Sequence, residues 1–265
     1  MTEPGARPVL VVGSGKGGVG KSVVSILIAH ALSERGIRVL LVDGSQNLGH
    51  LHVLLGVSVG ARLEQVYRGD AEAAALIRPV TERLSLLSSD SGAEALYGLA
   101  GIDQARLHHR LADAYHEFDL VVVDAGSGIE TAVRLATMGG TRLIVVTVPE
   151  VAALTDAYAL IKLVHAQLPT LPMDVVVNRI AEAGEGDQAF DRLAGAAERF
   201  LGRALGQFGS LPETAALRAT MQRPGALLTD ERVESLRRAV RDLVVTHLPT
   251  EAFMVPAALP SERLV

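Results

Sequence analysis

The sequence predicts an α/β fold: a doubly wound, mostly parallel sheet sandwiched between helices in three layers. Three observations predict it. Short apolar segments alternate with helical patterns from end to end. Those segments are near-continuous runs of Val, Leu and Ile, as parallel strands buried on both faces require. Four of them end in Gly13, Asp43, Asp124 and Asn178, residue types suited to the carboxyl edge where ligands bind in such sheets.

In chain order, strands are expected at 9–13, 38–43, 84–88, 120–124, 143–148, 174–178 and 207–209. Helices are expected at 21–35, 102–116, 130–138, 152–168, 186–201, 213–222 and 230–247. Right-handed crossovers would carry the helices to both faces. Residues 90–101, rich in Ser, Gly and Ala, read as a surface loop. A single domain is expected over 1–248, followed by an irregular tail, 249–265, with three prolines. The 265 residues suffice for one sizeable core.

The most specific segment joins the first strand to the first helix: Ser14-Gly15-Lys16-Gly17-Gly18-Val19-Gly20-Lys21-Ser22. From Gly15 to Ser22 it fits G-x-x-x-x-G-K-[ST], the P-loop spacing. Glycines let backbone N–H groups turn onto phosphate oxygens, and the helix N-terminus adds positive partial charge. Lys21 would reach the β- and γ-phosphates, and the Ser22 hydroxyl would ligate Mg²⁺.

Phe118 to Asp124 reads as a buried strand ending in an acid. Asp124 would hold Mg²⁺ through water, as Walker-B carboxylates do; a helix-capping aspartate is the plainer alternative. Arg38 to Asp43 ends in a second acid, a further candidate for the magnesium site. Asn178-Arg179 closes another strand, where a turn cap is the plain alternative. The pair His50 and His52 is a weak candidate for a metal site, and ordinary polar positions explain it as well.

Lys16, standing before Gly17-Gly18, makes the loop resemble the "deviant" Walker A loop of the MinD/ParA family, P-loop NTPases of SIMIBI-type architecture. The resemblance implies an ATP-bound homodimer in which Lys16 reaches the partner's nucleotide; a solvated loop lysine is the alternative. It also implies that Lys16, Lys21, Asp43 and Asp124 serve catalysis, and that Ser22, Asp43 and Asp124 hold Mg²⁺, partly through water. ATP or ADP would be held by Gly15, Lys16, Gly17, Gly18, Val19, Gly20, Lys21 and Ser22. Asn178, Arg179 and Pro212 would meet the adenine. In MinD-like proteins the strand ending at Asp43 runs into Asp-x-Asp. Here it reads Asp43-Gly44-Ser45, so the second acid is missing and slow or absent hydrolysis is expected.

Thr155-Asp156-Ala157-Tyr158-Ala159-Leu160-Ile161-Lys162 resembles a helix of the flagellar-number regulators, the FlhG/FleN/YlxH group. Val176-Val177-Asn178-Arg179, Phe200-Leu201-Gly202 and Leu211-Pro212-Glu213 recur in those proteins in the same order. The resemblance spans residues 8–245. It implies a regulator of flagellar number, placement or gene expression. Implied partners are an SRP-type flagellar GTPase, flagellar switch proteins or a transcriptional activator. Read without the family, residues 152–168 form a crossover helix with an apolar face (Leu154, Ala157, Leu160, Ile161, Val164) and caps at Thr155-Asp156.

Composition narrows the choices. With 25 basic and 30 acidic residues the formal charge is −5, so no global basic field draws nucleic acid. A ParA-type DNA-positioning ATPase would need a local patch, and Arg203, Arg218, Arg223, Arg237, Arg238 and Arg241 are candidates. A binding-only pseudo-ATPase is the other alternative. The absence of cysteine suits a reducing compartment and excludes an iron–sulfur relative held by thiolates. The first seven residues are short and polar, and no apolar run nears the roughly 20 residues needed to span a bilayer. A cytoplasmic protein, or one peripheral at the inner membrane face or a cell pole, is expected. The apolar stripe of 230–247 (Val233, Leu236, Val240, Leu243, Val244) would either pack on the sheet or face lipid, flanked by Arg237, Arg238 and Arg241.

Overall fold

The computed structural model describes residues 7–45, 49–61, 63–88, 116–126, 128–137 and 139–250. The helix expected at 102–116, the loop at 90–101 and nearly all of the tail lie outside the described residues.

Eight strands form one sheet in the order β3-β4-β2-β5-β1-β6-β7-β8. They are β1 (Val9–Gly13), β2 (Val39–Asp43), β3 (Ile77–Pro79), β4 (Leu84–Leu87), β5 (Leu120–Asp124), β6 (Arg142–Thr147), β7 (Met173–Ile180) and β8 (Gly206–Pro212). Every pairing is parallel except β3 with β4. The described helices are α1 (Lys21–Glu34), α2 (Leu51–Leu55), α3 (Leu63–Arg68), α4 (Ile129–Thr137), α5 (Val151–Gln167), α6 (Glu185–Leu201), α7 (Leu217–Met221), α8 (Ala226–Thr229) and α9 (Glu234–His247).

Alternation along the strands divides the core into two. Leu10 and Val12 of β1 face one way, with Ile26, Leu27 and Val240 of α1 and α9. Val11 faces the other, with Ala132, Leu160, Ile161 and Leu193 of α4, α5 and α6. Because both faces are covered, the central strands carry almost no polar residue until their carboxyl ends, where Asp43, Asp124 and Asn178 are buried.

The structure departs from the expected elements at the edges. β3 was not expected; it is a three-residue antiparallel edge strand whose Arg78 and Pro79 suit an edge and hide the period-2 signal. The expected helix at 213–222 is only Leu217–Met221, because β8 continues to Pro212. The expected helix at 230–247 begins at Glu234. Before it, Asp230 ends α8 and its side chain accepts the Arg232 N–H, capping a 3₁₀ turn. Thr155 and Asp156 do not cap α5, which starts a turn earlier at Val151 after Glu150; the Thr155 hydroxyl donates back to the Val151 carbonyl at 2.9 Å. The apolar face of that helix is buried as expected.

The closing helix α9 packs on α1 and buries Leu236, Val240 and Val244. Arg237, expected as a basic flank, is itself buried. It donates to Glu234 and to the carbonyls of Leu227 and Asp230.

Candidate functional site

β1 delivers the chain to the carboxyl edge at Gly13, and α1 opens at Lys21, so Ser14 to Gly20 form the connecting loop. The N-cap of α1 is Gly20 at φ 90°, with no side-chain cap and no acid in the first turn. The free first-turn N–H groups and the helix dipole therefore await an external anion. Gly20 has a second reason to be glycine: a Cβ there would strike Asn178 Nδ2, which donates to the Val19 carbonyl at 2.8 Å. Asn178 thus ties β7 to the loop. At Gly15 a Cβ would strike the carbonyl of Asp156, so the loop lies backbone to backbone against α5.

Asp124, at the end of β5, is the centre of the site. It is 2% exposed, and its carboxylate collects three donors. Lys21 Nζ lies 2.5 Å from Oδ1, and Ser22 Oγ lies 2.7 Å from Oδ2. Ser25 Oγ lies 3.0 Å from Oδ1 and also 3.0 Å from the Lys21 carbonyl. Lys21 is buried as well, so the pair is held in a low-dielectric setting where an unpaired charge is costly.

Asp43 is the register partner of Asp124 on the adjacent strand. Its oxygens accept the Ser45 N–H at 3.1 Å and the Leu51 N–H at 3.2 Å. The carboxylate braces both ends of the segment between β2 and α2. That segment carries Ser45 and His50 to the wall of a cavity of about 610 Å³. Gly17, Gly18, Gly20, Lys21 and Ser22 line the cavity from the loop side, with Gly126, Asn178 and Arg179 on other walls.

Lys16 stands outside this cavity. Its ammonium lies 2.9 Å from Glu150, the residue before α5, with both side chains well exposed. The hydrogen bond from Lys16 and its charge, with a smaller effect of Arg179, hold the Glu150 carboxyl below the usual carboxylate range. Arg179 adopts φ 58°, the one described non-glycine residue in the left-handed region.

Most residues expected in the site thus gather at one edge. Pro212 does not line that cavity; it lies on a separate depression with Ile180, Gly186, Ser210 and Leu211. His50 lines the cavity, while the His52 Nδ1 lies 3.4 Å from Ser88 Oγ. Two features were not expected. Leu54, Leu217 and Met221 add an apolar wall. Ser25 joins Asp124; its position four residues after Lys21, on the same helix face, was the available signal.

The arrangement fits a magnesium nucleotide. A glycine loop and an uncapped helix start offer N–H donors, Lys21 offers a cation, and Ser22 with Asp124 offers the hard oxygen ligands Mg²⁺ prefers.

Residues 10–224 match the model of the CobQ/CobB/MinD/ParA nucleotide binding domain. Antiactivator FleN of Pseudomonas aeruginosa is 31% identical over 219 residues, covering 83% of this chain and 78% of FleN. The flagellum site-determining protein YlxH of Helicobacter pylori is 30% identical over 71% of this chain and 64% of its own length. Among solved structures, the septum site-determining protein MinD of Pyrococcus horikoshii, complexed with Mg-ADP, superimposes with a TM-score of 0.68 at 20% identity, covering 95% of this chain and all (100%) of that one. The chain belongs to the CobQ/CobB/MinD/ParA family of nucleotide-binding domains, and within it is similar in sequence to the flagellar proteins FleN and YlxH.

Proposed function

We propose that this chain is a MinD-like ATP switch that regulates flagellar number, placement or gene expression, forming a homodimer around ATP. The observation that carries the nucleotide reading is the convergence of Lys21 and Ser22 on Asp124 beneath an uncapped helix start. Similarity to FleN over most of the chain supports the flagellar role.

Bound Mg²⁺ would neutralise charge on the β- and γ-phosphates, with Ser22 and Asp124 as the groups to hold it. Lys21 would leave Asp124 for the phosphates, and Asp43 would keep the segment carrying Ser45 and His50 against the cavity. The γ-phosphate would favour one dimeric state, creating a partner surface that is lost on hydrolysis. Lys16 is the residue proposed to cross to the partner's nucleotide. Ser45 in place of an acid supports slow hydrolysis, since a hydroxyl is a poor base near neutral pH.

The comparisons do not favour a binding-only protein or a DNA-positioning ATPase. The arginine set offered for a DNA surface is largely engaged. Arg203 donates to the Pro169 and Leu171 carbonyls, Arg223 pairs with Asp230, and Arg237 and Arg241 pair with Glu234. Among the described residues no helix is long and apolar enough to cross a membrane. A cytoplasmic protein, or one peripheral at the inner membrane face or a cell pole, is the proposal. An SRP-type flagellar GTPase, a flagellar switch protein or a transcriptional activator is the proposed partner class.

Calorimetry with ATP and Mg²⁺ tests the nucleotide reading, and light scattering with ADP, ATP and a non-hydrolysable analogue tests the dimer. Uptake of nucleotide with doubling of mass in ATP is expected, and loss of the doubling in Lys16→Ala. No uptake by folded protein would overturn the proposal.

A further inference from the structure

Asp124 depends on three donors, Lys21, Ser22 and Ser25. It is buried, and two of its three donors have other tasks once nucleotide is present: Lys21 toward phosphate and Ser22 toward magnesium. Ser25 has no such task. Its side chain is fully buried, it lies one helical turn inside α1, and it does not line the cavity. Its single hydroxyl proton has two acceptors at 3.0 Å, the Lys21 carbonyl and Asp124 Oδ1.

Resting on the nucleotide reading above, we propose that Ser25 is a positioning residue for the magnesium site. It holds Asp124 Oδ1 while Lys21 moves to the phosphates. With Lys21 on Oδ1, the Ser25 proton can be shared with the Lys21 carbonyl. When the ammonium withdraws, Oδ1 becomes a buried anion short of a donor, and the Ser25 proton goes to it. The exchange requires no movement of α1, because both acceptors are already within reach. Without the hydroxyl, a carboxylate that has lost its ammonium would turn on its Cα–Cβ bond or draw in water, and Oδ2 would no longer be presented to Ser22 and the metal. A buried unpaired charge makes that state costly.

This predicts a defect confined to the magnesium-loaded state. The experiment titrates the full-length chain with a fluorescent ATP analogue, with EDTA and then at increasing Mg²⁺, for wild type, Ser25→Ala, Ser25→Thr and Ser33→Ala. Ser33 is a second buried serine of α1, whose hydroxyl donates to the His30 carbonyl, far along the helix from Asp124. Ser25→Ala is expected to raise the Mg²⁺ concentration for half-maximal tight binding about tenfold, as one hydrogen bond to a charged group can. Nucleotide affinity in EDTA stays within about twofold. Ser25→Thr, which keeps the hydroxyl, restores the magnesium midpoint toward wild type, and Ser33→Ala leaves it unchanged. Thermal melting without ligand shows which variants are folded; should Ser25→Thr not fold, the contrast between Ser25→Ala and Ser33→Ala decides. An unchanged midpoint in Ser25→Ala, or an equal loss of affinity with and without Mg²⁺, would overturn the proposal. If wild type itself bound no analogue, the nucleotide reading would fall, and this proposal with it. Wild-type binding with an unaltered Ser25→Ala overturns Ser25 alone.

Discussion

Lys16 and Glu150 form an ion pair at 2.9 Å across two elements, the phosphate loop and the start of α5. The lysine proposed to cross to a partner is therefore held in cis by its own chain. Both groups are well exposed, so the contact is weak and salt-screened. Glu150→Gln should release Lys16 and lower the protein concentration needed for ATP-dependent dimerisation by about twofold to fivefold at low salt. The difference should vanish near 1 M salt. Sedimentation in ATP measures it; weaker dimerisation in Glu150→Gln would show that Glu150 serves the dimer instead of restraining it.

The Lys21–Asp124 pair is the opposite case. Both members are buried, and removing one leaves the other charged without its main partner. Lys21→Ala should lower unfolding stability by about 3 kcal/mol in the absence of nucleotide. Adding Asp124→Asn should recover much of that loss, because the stranded charge goes with it. Urea denaturation of the two single variants and the double variant checks this. Additive losses would mean the pair is not coupled.

Ser45 lines the cavity where a carboxylate was expected from the resemblance, and its N–H is fixed by Asp43. The backbone at 45 is thus already braced, so Ser45→Asp changes the functional group in a held position. Single-turnover hydrolysis should rise about 10²-fold, the lower end of what a water-positioning base contributes. Equal rates in the two proteins would remove Ser45 as the cause of slow turnover.

What could be read from the sequence was local. Gly15 to Ser22 lie within one turn of chain, and the glycine and lysine spacing is itself the chemistry. Asp43, Asp124 and Asn178 were legible because a both-sides-buried strand admits a polar residue only where it leaves the sheet. Ser25 was only half legible: its spacing from Lys21 put it on the right helix face, but its partner lies 99 residues away, and a serine on an apolar helix face reads as filler until the strand is docked. Arg237 was misread for the same reason. Its position beside the apolar stripe suggested a basic flank or part of a DNA-facing patch, while its acceptors, the carbonyls of Leu227 and Asp230, exist only once the chain turns before α9. The start of α9 was missed although Asp230 signals a cap, because apolar spacing runs through the 3₁₀ turn at Val233. β3 was too short and too polar to register a period.

His30 gives a pH signature for the α1–α9 contact. Burial lowers its pKa first; Glu34, 3.6 Å away on the same helix, pulls it up, while Arg237 and Arg241 from α9 push it down. The net direction is downward, so the fold favours the neutral ring despite the nearby carboxylate. The unfolded chain, with a histidine pKa of about 6.5, binds the proton more readily. Stability should therefore rise with pH between the depressed folded value and about 6.5, be fully present above that, and be lost as pH falls through the window. His30→Gln removes the titrating group and keeps a polar side chain. The melting temperature of wild type minus that of His30→Gln should be larger at pH 7.5 than at pH 5, with other titrations cancelling in the difference. A difference that grew on acidification would mean that Glu34 wins over burial and the two arginines, and that the protonated ring is the folded form.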